Sequence, residues 1–270
     1  MAETPARGAK PVKDYQTITL EIAEDIAVLC LDRADKMNAL NAQMRAEITD
    51  AVILAGREAR VVVLTGKGRA FCSGQDLSDG TSAATLDLER VLREEYVPML
   101  RAITDCPVPT LSAVNGPAAG AGANLAMAAD VVIAADSAYF LQAFARIGLI
   151  PDAGGTWVLP RQIGMAKAMG AALFAEPITA RQASDWGMIW EAVSDEGFDA
   201  HWRARAAHLA KGPTLAYAAA KQAIRETWDN SLDTQLDLEA KLQGACGQSR
   251  DFKEGLVAFL EKRLPQFDGR

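Results

Sequence analysis

Three glycine-containing segments place groups that could do chemistry at points where the chain is expected to turn from a strand into a helix. They span residues 68–77, 115–124 and 147–156. Glycine at such a junction lets the backbone approach a ligand closely, and a helix N-terminus exposes N–H groups that stabilise negative charge. The first two segments match neither the Walker loop nor the dinucleotide fingerprint. Taken alone, each is more often a tight packing turn than a binding site.

Asp152 is the ionisable residue of the third segment, and it stands just before Gly154-Gly155. Because this glycine pair predicts the start of a helix, the Asp152 carboxylate could be an N-cap that accepts a backbone N–H. It could also be a catalytic group, and the two roles do not exclude each other. Both interpretations stay open at this point.

The elements that must position these segments indicate an α/β architecture. Residues 17–22 and 26–31 predict a β-hairpin, and residues 60–65, 108–114 and 131–134 predict buried strands. Asn41 is expected to cap a helix whose buried face carries Met44, Ile48, Val52 and Ala55. A further helix is predicted over 86–103, and a short one ends at 129. Strands that alternate with helices are typical of an α/β core.

The C-terminal quarter of the sequence has helical periodicity only. Helices are predicted over 198–211, 214–228, 232–246 and 251–263. We therefore divide the chain into a short flexible tail, a core and a helical region, which are 1–13, 14–197 and 198–270.

Composition and charge exclude several classes of function. The net charge of −7 and the pI near 5.0 argue against nucleic acid as a partner. No apolar run is long enough for a membrane span, and residues 1–13 do not resemble a secretory signal. Four scattered cysteines predict reduced thiols in a cytoplasmic protein. With His201 and His208 as its only histidines, the chain is expected to hold no metal.

The three segments, in this order and spacing, resemble the crotonase (enoyl-CoA hydratase/isomerase) superfamily. The resemblance extends from about residue 17 to the C-terminus. It also includes the motif residues of 32–40, the pair Thr65-Gly66 and the pair Ala129-Asp130.

The resemblance implies a crotonase-type spiral of ββα units, with C-terminal helices that build a trimer or a dimer of trimers. It also implies an acyl-CoA substrate, with coenzyme A as part of that substrate and no separate cofactor. By position, the backbone N–H groups of Gln75 and Ala121 correspond to the oxyanion donors. The other positions implied to bind the substrate or its CoA arm are Lys36, Met37, Asp76, Leu77, Ser78, Gly120 and Phe144.

Departures from the family pattern narrow the implied chemistry. Enoyl-CoA hydratases use two glutamates, and the matching positions here are Asn124 and Phe144. Neither side chain can exchange a proton, so this chain is not expected to hydrate an enoyl-CoA. Asp152 remains as the acid–base candidate, and burial beside Phe144 and Trp157 is expected to raise its pKa. One carboxylate suits an isomerase that moves a proton from the α to the γ carbon.

Within the superfamily, segments 148–157, 185–190, 232–239 and 254–267 resemble the ring-1,2-epoxyphenylacetyl-CoA isomerases of phenylacetate degradation. The activity implied is conversion of the ring epoxide to an oxepin. The alternatives are a Δ3-Δ2-enoyl-CoA isomerase with aliphatic substrates and, after it, an enoyl-CoA hydratase. An aryl-CoA dehalogenase is disfavoured because the chain has no histidine before His201. A non-catalytic protein that binds CoA or RNA is disfavoured by the acidic charge and by Asp152.

Overall fold

The computed structural model describes residues 10–11, 13–77 and 87–269. Most of the predicted tail, 1–13, lies outside these ranges. Lys10–Pro11, however, forms a short strand, β1, which pairs antiparallel with the strand that follows it.

The first ββα unit forms as the sequence predicts. Strands β2 (Ile18–Ala23) and β3 (Ile26–Leu31) make an antiparallel hairpin. Its two turn residues, at 24 and 25, both have left-handed φ values, as a tight two-residue hairpin turn requires. Helix α1 (Ala42–Glu58) begins at Asn41, whose side chain accepts the N–H of Met44 at 2.9 Å. The predicted apolar face of α1 is buried.

A seven-stranded sheet forms the centre of the molecule. The remaining strands of this sheet are β4 (Val61–Gly66), β5 (Thr110–Val114), β7 (Val131–Ala135) and β10 (Glu191–Val193). The strand order is β1-β2-β3-β4-β5-β7-β10, and the strands from β3 onward are parallel. The carboxyl ends of β4 and β5 therefore meet at one edge, which is where the first two glycine segments emerge.

A second, three-stranded sheet was not predicted. It contains β6 (Ala118–Ala119), β8 (Tyr139–Leu141) and β9 (Ile178–Thr179). Strands of two or three residues are too short to show an alternating pattern. This sheet holds the second glycine segment, because β6 within that segment pairs with β8.

Helices cover the central sheet. They are α2 (Leu88–Val91), α3 (Val97–Thr104), α4 (Ala121–Met127), α5 (Gly155–Phe174) and α6 (Ala180–Asp185). A π-helical turn, Leu92–Tyr96, joins α2 to α3, where the sequence predicts one continuous helix. Such turns are frequent at functional sites.

The four predicted C-terminal helices are all present. They are α7 (Phe198–Ala210), α8 (Thr214–Glu226), α9 (Leu232–Gly247) and α10 (Arg250–Glu261). Helix α7 packs Trp202 and Ala206 on the face of the central sheet formed by Val61, Leu111 and Ile133. It is thus part of the sheet's packing, whereas α8 and α9 contain no fully buried residue. None of the described helices is long and apolar enough to cross a bilayer.

Candidate active site

The first glycine segment presents the backbone N–H of Gln75. The N–H of Leu40 donates to the Gly74 carbonyl at 2.7 Å, and the N–H of Asp76 donates to the Leu40 carbonyl at 3.1 Å. In this parallel pairing the amide of Gln75, between Gly74 and Asp76, points away from Leu40. The N–H of Gln75 has no acceptor within residues 13–77 and 87–269, so it can donate to a ligand.

The second glycine segment presents the N–H of Ala121, the first residue of α4. Gly120 precedes it with φ 53° and donates its own N–H to the Leu141 carbonyl at 2.7 Å. An N–H in the first turn of a helix has no intrahelical acceptor, and none from elsewhere in the described chain reaches Ala121. This amide is a second free donor.

The two donors lie close together because Gly74 packs against the second segment. A Cβ placed on Gly74 would lie 2.7 Å from the Ala119 carbonyl oxygen and 3.4 Å from the Ala121 nitrogen. Only glycine allows this approach, and Gly74 also has a left-handed φ of 94°. The geometry thus brings together the two N–H groups that the sequence assigns to an oxyanion site.

Asp152 does not cap helix α5. The N-cap residue is Gly154, which has a left-handed φ of 83°, and no side chain makes a capping hydrogen bond. The carbonyl of Asp152, rather than its carboxylate, accepts the N–H of Gly155 at 2.8 Å. The N-cap interpretation of Asp152 is therefore wrong, because left-handed residues at 153 and 154 separate the carboxylate from the helix start.

Burial raises the pKa of Asp152 from 3.8 to about 6. Its Oδ1 is buried without a hydrogen-bond partner among the described residues. Two other carboxylates near Gln75 are paired with arginines: Asp76 pairs with Arg33 at 2.8 Å and Glu95 with Arg45 at 2.5 Å. Asp152 is therefore suited to take up and release a proton near neutral pH.

Phe144 and Trp157 differ in their surroundings. Phe144 is buried, and its Cζ lies 3.9 Å from where a Cβ on Gly120 would be, beside the second donor segment. Trp157 is 48 % exposed, and the Arg161 guanidinium lies 4.2 Å from its ring centroid. Trp157 is therefore only half-buried and stacks with Arg161, whereas Phe144 is the buried ring of the two.

A polar network around the Gln75 side chain was missed by sequence reasoning. Its Oε1 accepts hydrogen bonds from the Tyr96 hydroxyl at 2.5 Å and from Arg45 Nη1 at 3.0 Å. Arg45 is buried and also donates to the Leu40 carbonyl at 2.8 Å. The network holds the loop that carries the Gln75 N–H. These residues stand 21 to 30 positions from Gln75, so no local pattern connects them.

Lys36 and Met37, which were expected to line the CoA arm, lie against the first glycine segment. The N–H of Ser73 donates to the Met37 carbonyl at 3.0 Å, and both Lys36 and Met37 are exposed. Leu77 is also exposed, at 67 %.

Asp76 and Ser78 were also expected to bind the substrate or its CoA arm. Asp76 is buried in its pair with Arg33, so its carboxylate supports the loop. Ser78 lies outside the described residues.

Metal-ligating side chains do not cluster in the described ranges: no group of three or more His, Cys, Asp or Glu residues is arranged to hold an ion. Nε2 of His201 lies 2.7 Å from a carboxylate oxygen of Glu191.

Known proteins are similar to this chain over nearly its whole length. Residues 21–270 match the sequence model of the enoyl-CoA hydratase/isomerase family. A probable enoyl-CoA hydratase of Rhodobacter capsulatus is 66 % identical over 95 % of this chain and 99 % of its own. The 1,2-epoxyphenylacetyl-CoA isomerase of Escherichia coli is 45 % identical over 94 % of this chain and 98 % of its own.

Solved structures share the fold. A putative enoyl-CoA hydratase from Streptomyces coelicolor superposes with a TM-score of 0.90 at 34 % identity and covers 99 % of this chain and 100 % of its own. A putative enoyl-CoA hydratase/isomerase from Mycobacterium abscessus gives 0.89 at 36 % identity, over 94 % of this chain and 100 % of its own. The expected spiral of ββα units with C-terminal helices is confirmed by these neighbours.

Proposed function

Because the chain belongs to the enoyl-CoA hydratase/isomerase family, we propose that it is an isomerase that moves a proton from the α to the γ carbon of a CoA thioester. The observation that carries this proposal is the state of Asp152. It is a partly buried carboxyl group with no cationic partner in the described chain, and burial raises its pKa to about 6. Such a group can act as a base and then as an acid at neutral pH.

In the proposed reaction, the Asp152 carboxylate removes the α proton and the C–H electron pair moves toward the thioester carbonyl. The resulting enolate oxygen accepts hydrogen bonds from the N–H groups of Gln75 and Ala121, which nothing else in the described chain uses. The protonated Asp152 then returns the proton to the γ carbon, and the double bond shifts by one position. The substrate neither gains nor loses atoms, and the carboxylate is regenerated.

Hydration needs groups that the site does not offer. A water molecule must be deprotonated on one side while a proton is delivered on the other, and the two corresponding positions hold Asn124 and Phe144. Neither titrates. On this ground the proposal departs from the name of the Rhodobacter relative, a probable hydratase.

We propose ring-1,2-epoxyphenylacetyl-CoA as the substrate and oxepin-CoA as the product. The ring C–C bond that the epoxide oxygen bridges opens to give the seven-membered oxepin, and the α-to-γ proton shift places a double bond in conjugation with the thioester carbonyl, so that all atoms are retained. Support comes from the 45 % identity to the Escherichia coli isomerase and from the buried aromatic ring of Phe144 beside Gly120. A Δ3-Δ2-enoyl-CoA isomerase is the second candidate, because the same single aspartate serves an aliphatic substrate.

Turnover of three thioesters on one preparation tests the function. We expect the highest kcat/KM with the aryl epoxide thioester, a lower value for isomerisation of 3-hexenoyl-CoA, and hydration of crotonyl-CoA at less than about a tenth of the isomerisation rate. Hydration within about tenfold of isomerisation would show that the chain is a hydratase. Faster turnover of 3-hexenoyl-CoA than of the epoxide would favour the aliphatic isomerase.

We also propose that the C-terminal helices build a trimer, alone or as a dimer of trimers. Members of this family are commonly oligomeric, and α8 and α9 bury no residue completely within one chain. Large apolar side chains are exposed on α8 to α10 and the tail that follows, including Ile224, Leu232, Leu256, Phe259, Leu260 and Leu264. Exposure on this scale is typical of an interaction surface.

Light scattering tests the assembly. At micromolar concentration we expect a mass of three or six chains of 28.8 kDa. The double substitution Phe259→Asp with Leu260→Asp should lower that mass, because it places charges on the apolar surface. A stable monomer for the parent protein would contradict the proposal.

A further inference from the structure

Two buried side-chain amides connect the three-stranded sheet to the main chain of Asp152. Gln142, which follows β8, is 1 % exposed, and Asn124, in α4, is 2 % exposed. Gln142 Nε2 donates to Asn124 Oδ1 at 2.9 Å, and Asn124 Nδ2 donates to the carbonyl of Asp152 at 2.6 Å. Two consecutive hydrogen bonds thus lead from β8 through α4 to the third glycine segment.

The carbonyl of Asp152 is held from two sides. It accepts the Asn124 amide and also the N–H of Gly155, at 2.8 Å. Asn124 lies directly against the start of α5, since a Cβ on Gly155 would lie 2.5 Å from Asn124 Nδ2. The peptide plane that follows Asp152 is therefore fixed relative to α4, which is also the helix that presents the Ala121 N–H.

Gln142 and the Asp152 carbonyl together determine which way the Asn124 amide faces. A carboxamide has one accepting oxygen and one donating nitrogen, and the hydrogen-bond network determines which lies where. Because Gln142 supplies a donor, the oxygen of Asn124 faces Gln142 and its nitrogen faces Asp152. Without Gln142, the Asn124 oxygen would be buried with no donor, and the amide would be held by the Asp152 carbonyl alone.

The carboxylate of Asp152 depends on this support. Its Oδ1 has no hydrogen-bond partner in the described ranges, so side-chain contacts do not anchor it there. The next residue has a left-handed φ of 48°, a conformation that an alanine adopts only when its surroundings impose it. The direction of the carboxylate is thus set mainly by the backbone that Asn124 holds.

We propose that Asn124 is a positioning residue for Asp152, and that Gln142 acts through Asn124 by orienting its amide. This inference rests on the proposed function, because it assigns Asn124 a role only if Asp152 transfers the proton. Asn124 therefore contributes to the reaction, although it cannot itself exchange a proton.

Asn124→Leu tests the inference because leucine is similar in size but has no amide. We expect kcat to fall about 10- to 100-fold with KM little changed, since misplacing a reacting group by about 1 Å has an effect of that size. Gln142→Leu should lower kcat less, because it leaves the Asn124 amide in place. Should Asn124→Leu fail to fold, Gln142→Leu supplies the same test.

The matched control is Thr110→Val. Thr110 is fully buried and its hydroxyl bonds Asp130, but it begins β5, at the end of the strand away from the glycine segments. We expect this variant to have a lower melting temperature and an unchanged kcat. If Asn124→Leu and Gln142→Leu also lose only thermal stability, Asn124 is a packing residue and the inference is wrong.

A double-mutant cycle separates positioning from general structural damage. If Asn124 acts through Asp152, adding Asn124→Leu to Asp152→Asn should lower the residual rate no further. An equal fold-loss in both backgrounds would overturn the inference while leaving the proposed function intact. Near-normal kcat in Asp152→Asn alone would instead remove the proposed function.

Discussion

Asp152→Asn should lower kcat by about 10²- to 10⁴-fold and leave binding of the CoA thioester in place. Asparagine has nearly the same shape but cannot take up or release a proton near neutral pH. The backbone donors at Gln75 and Ala121 are untouched by the change, and the Asn124 hydrogen bond is made to the main chain of residue 152.

The same substitution should stabilise the fold above pH 6. The pKa of Asp152 is about 6 in the folded chain, against an ordinary value of 3.8. A carboxyl group whose pKa is raised by folding favours the folded state below its unfolded pKa, and this contribution is lost as pH rises through the folded pKa. Asparagine does not ionise. The melting temperature of the variant should thus exceed that of the parent above pH 6, and the gap should close toward pH 4.

Both effects are checked by measuring the turnover rate and the melting temperature of the parent and of Asp152→Asn across pH 4 to 8. Asp199→Asn is the control. Asp199 is an exposed carboxylate on α7, paired with Arg203, and its loss should change neither quantity. The kcat/KM of the parent, which reports the free enzyme, should decrease as pH falls through about 6, because the base becomes protonated. A variant of residue 152 with near-normal kcat would exclude this aspartate from the mechanism.

Ala121→Pro should lower kcat by about 10²- to 10³-fold, the usual effect of removing one oxyanion donor. Proline lacks the N–H but fits the first position of a helix, and Ala121 occupies that position in α4. The substitution therefore removes one backbone donor while leaving Asp152 in place. Because the proline Cδ takes the place of the amide hydrogen, it also crowds the thioester oxygen, so KM should rise together with the fall in kcat.

Arg250→Pro is the control for Ala121→Pro. Arg250 is the first residue of α10, is exposed, and follows a serine N-cap, so it tests proline at the same helix position away from the site. We expect kcat to stay at the parent level. If Ala121→Pro keeps full activity with an unchanged melting curve, the N–H of Ala121 is not an oxyanion donor.

The sequence by itself determined the elements whose signals are local. The hairpin, the Asn41 cap with its buried helix face, the strands β4, β5 and β7 and the four C-terminal helices all follow from residues two to four positions apart. The glycine segments also indicated where backbone would approach a ligand, because glycine allows contacts and φ values that other residues do not.

Only the tertiary structure decided what Asp152 can do. Its separation from the helix start depends on the left-handed residues that follow it. The rise in its pKa was expected, but the burial that causes it comes from the packed chain and not from a local pattern near residue 152. The supporting contacts, from Arg45 and Tyr96 to Gln75 and from Gln142 through Asn124 to Asp152, join residues 18 to 30 positions apart. Such contacts form only when the strands and helices pack together, so a local sequence pattern cannot predict them.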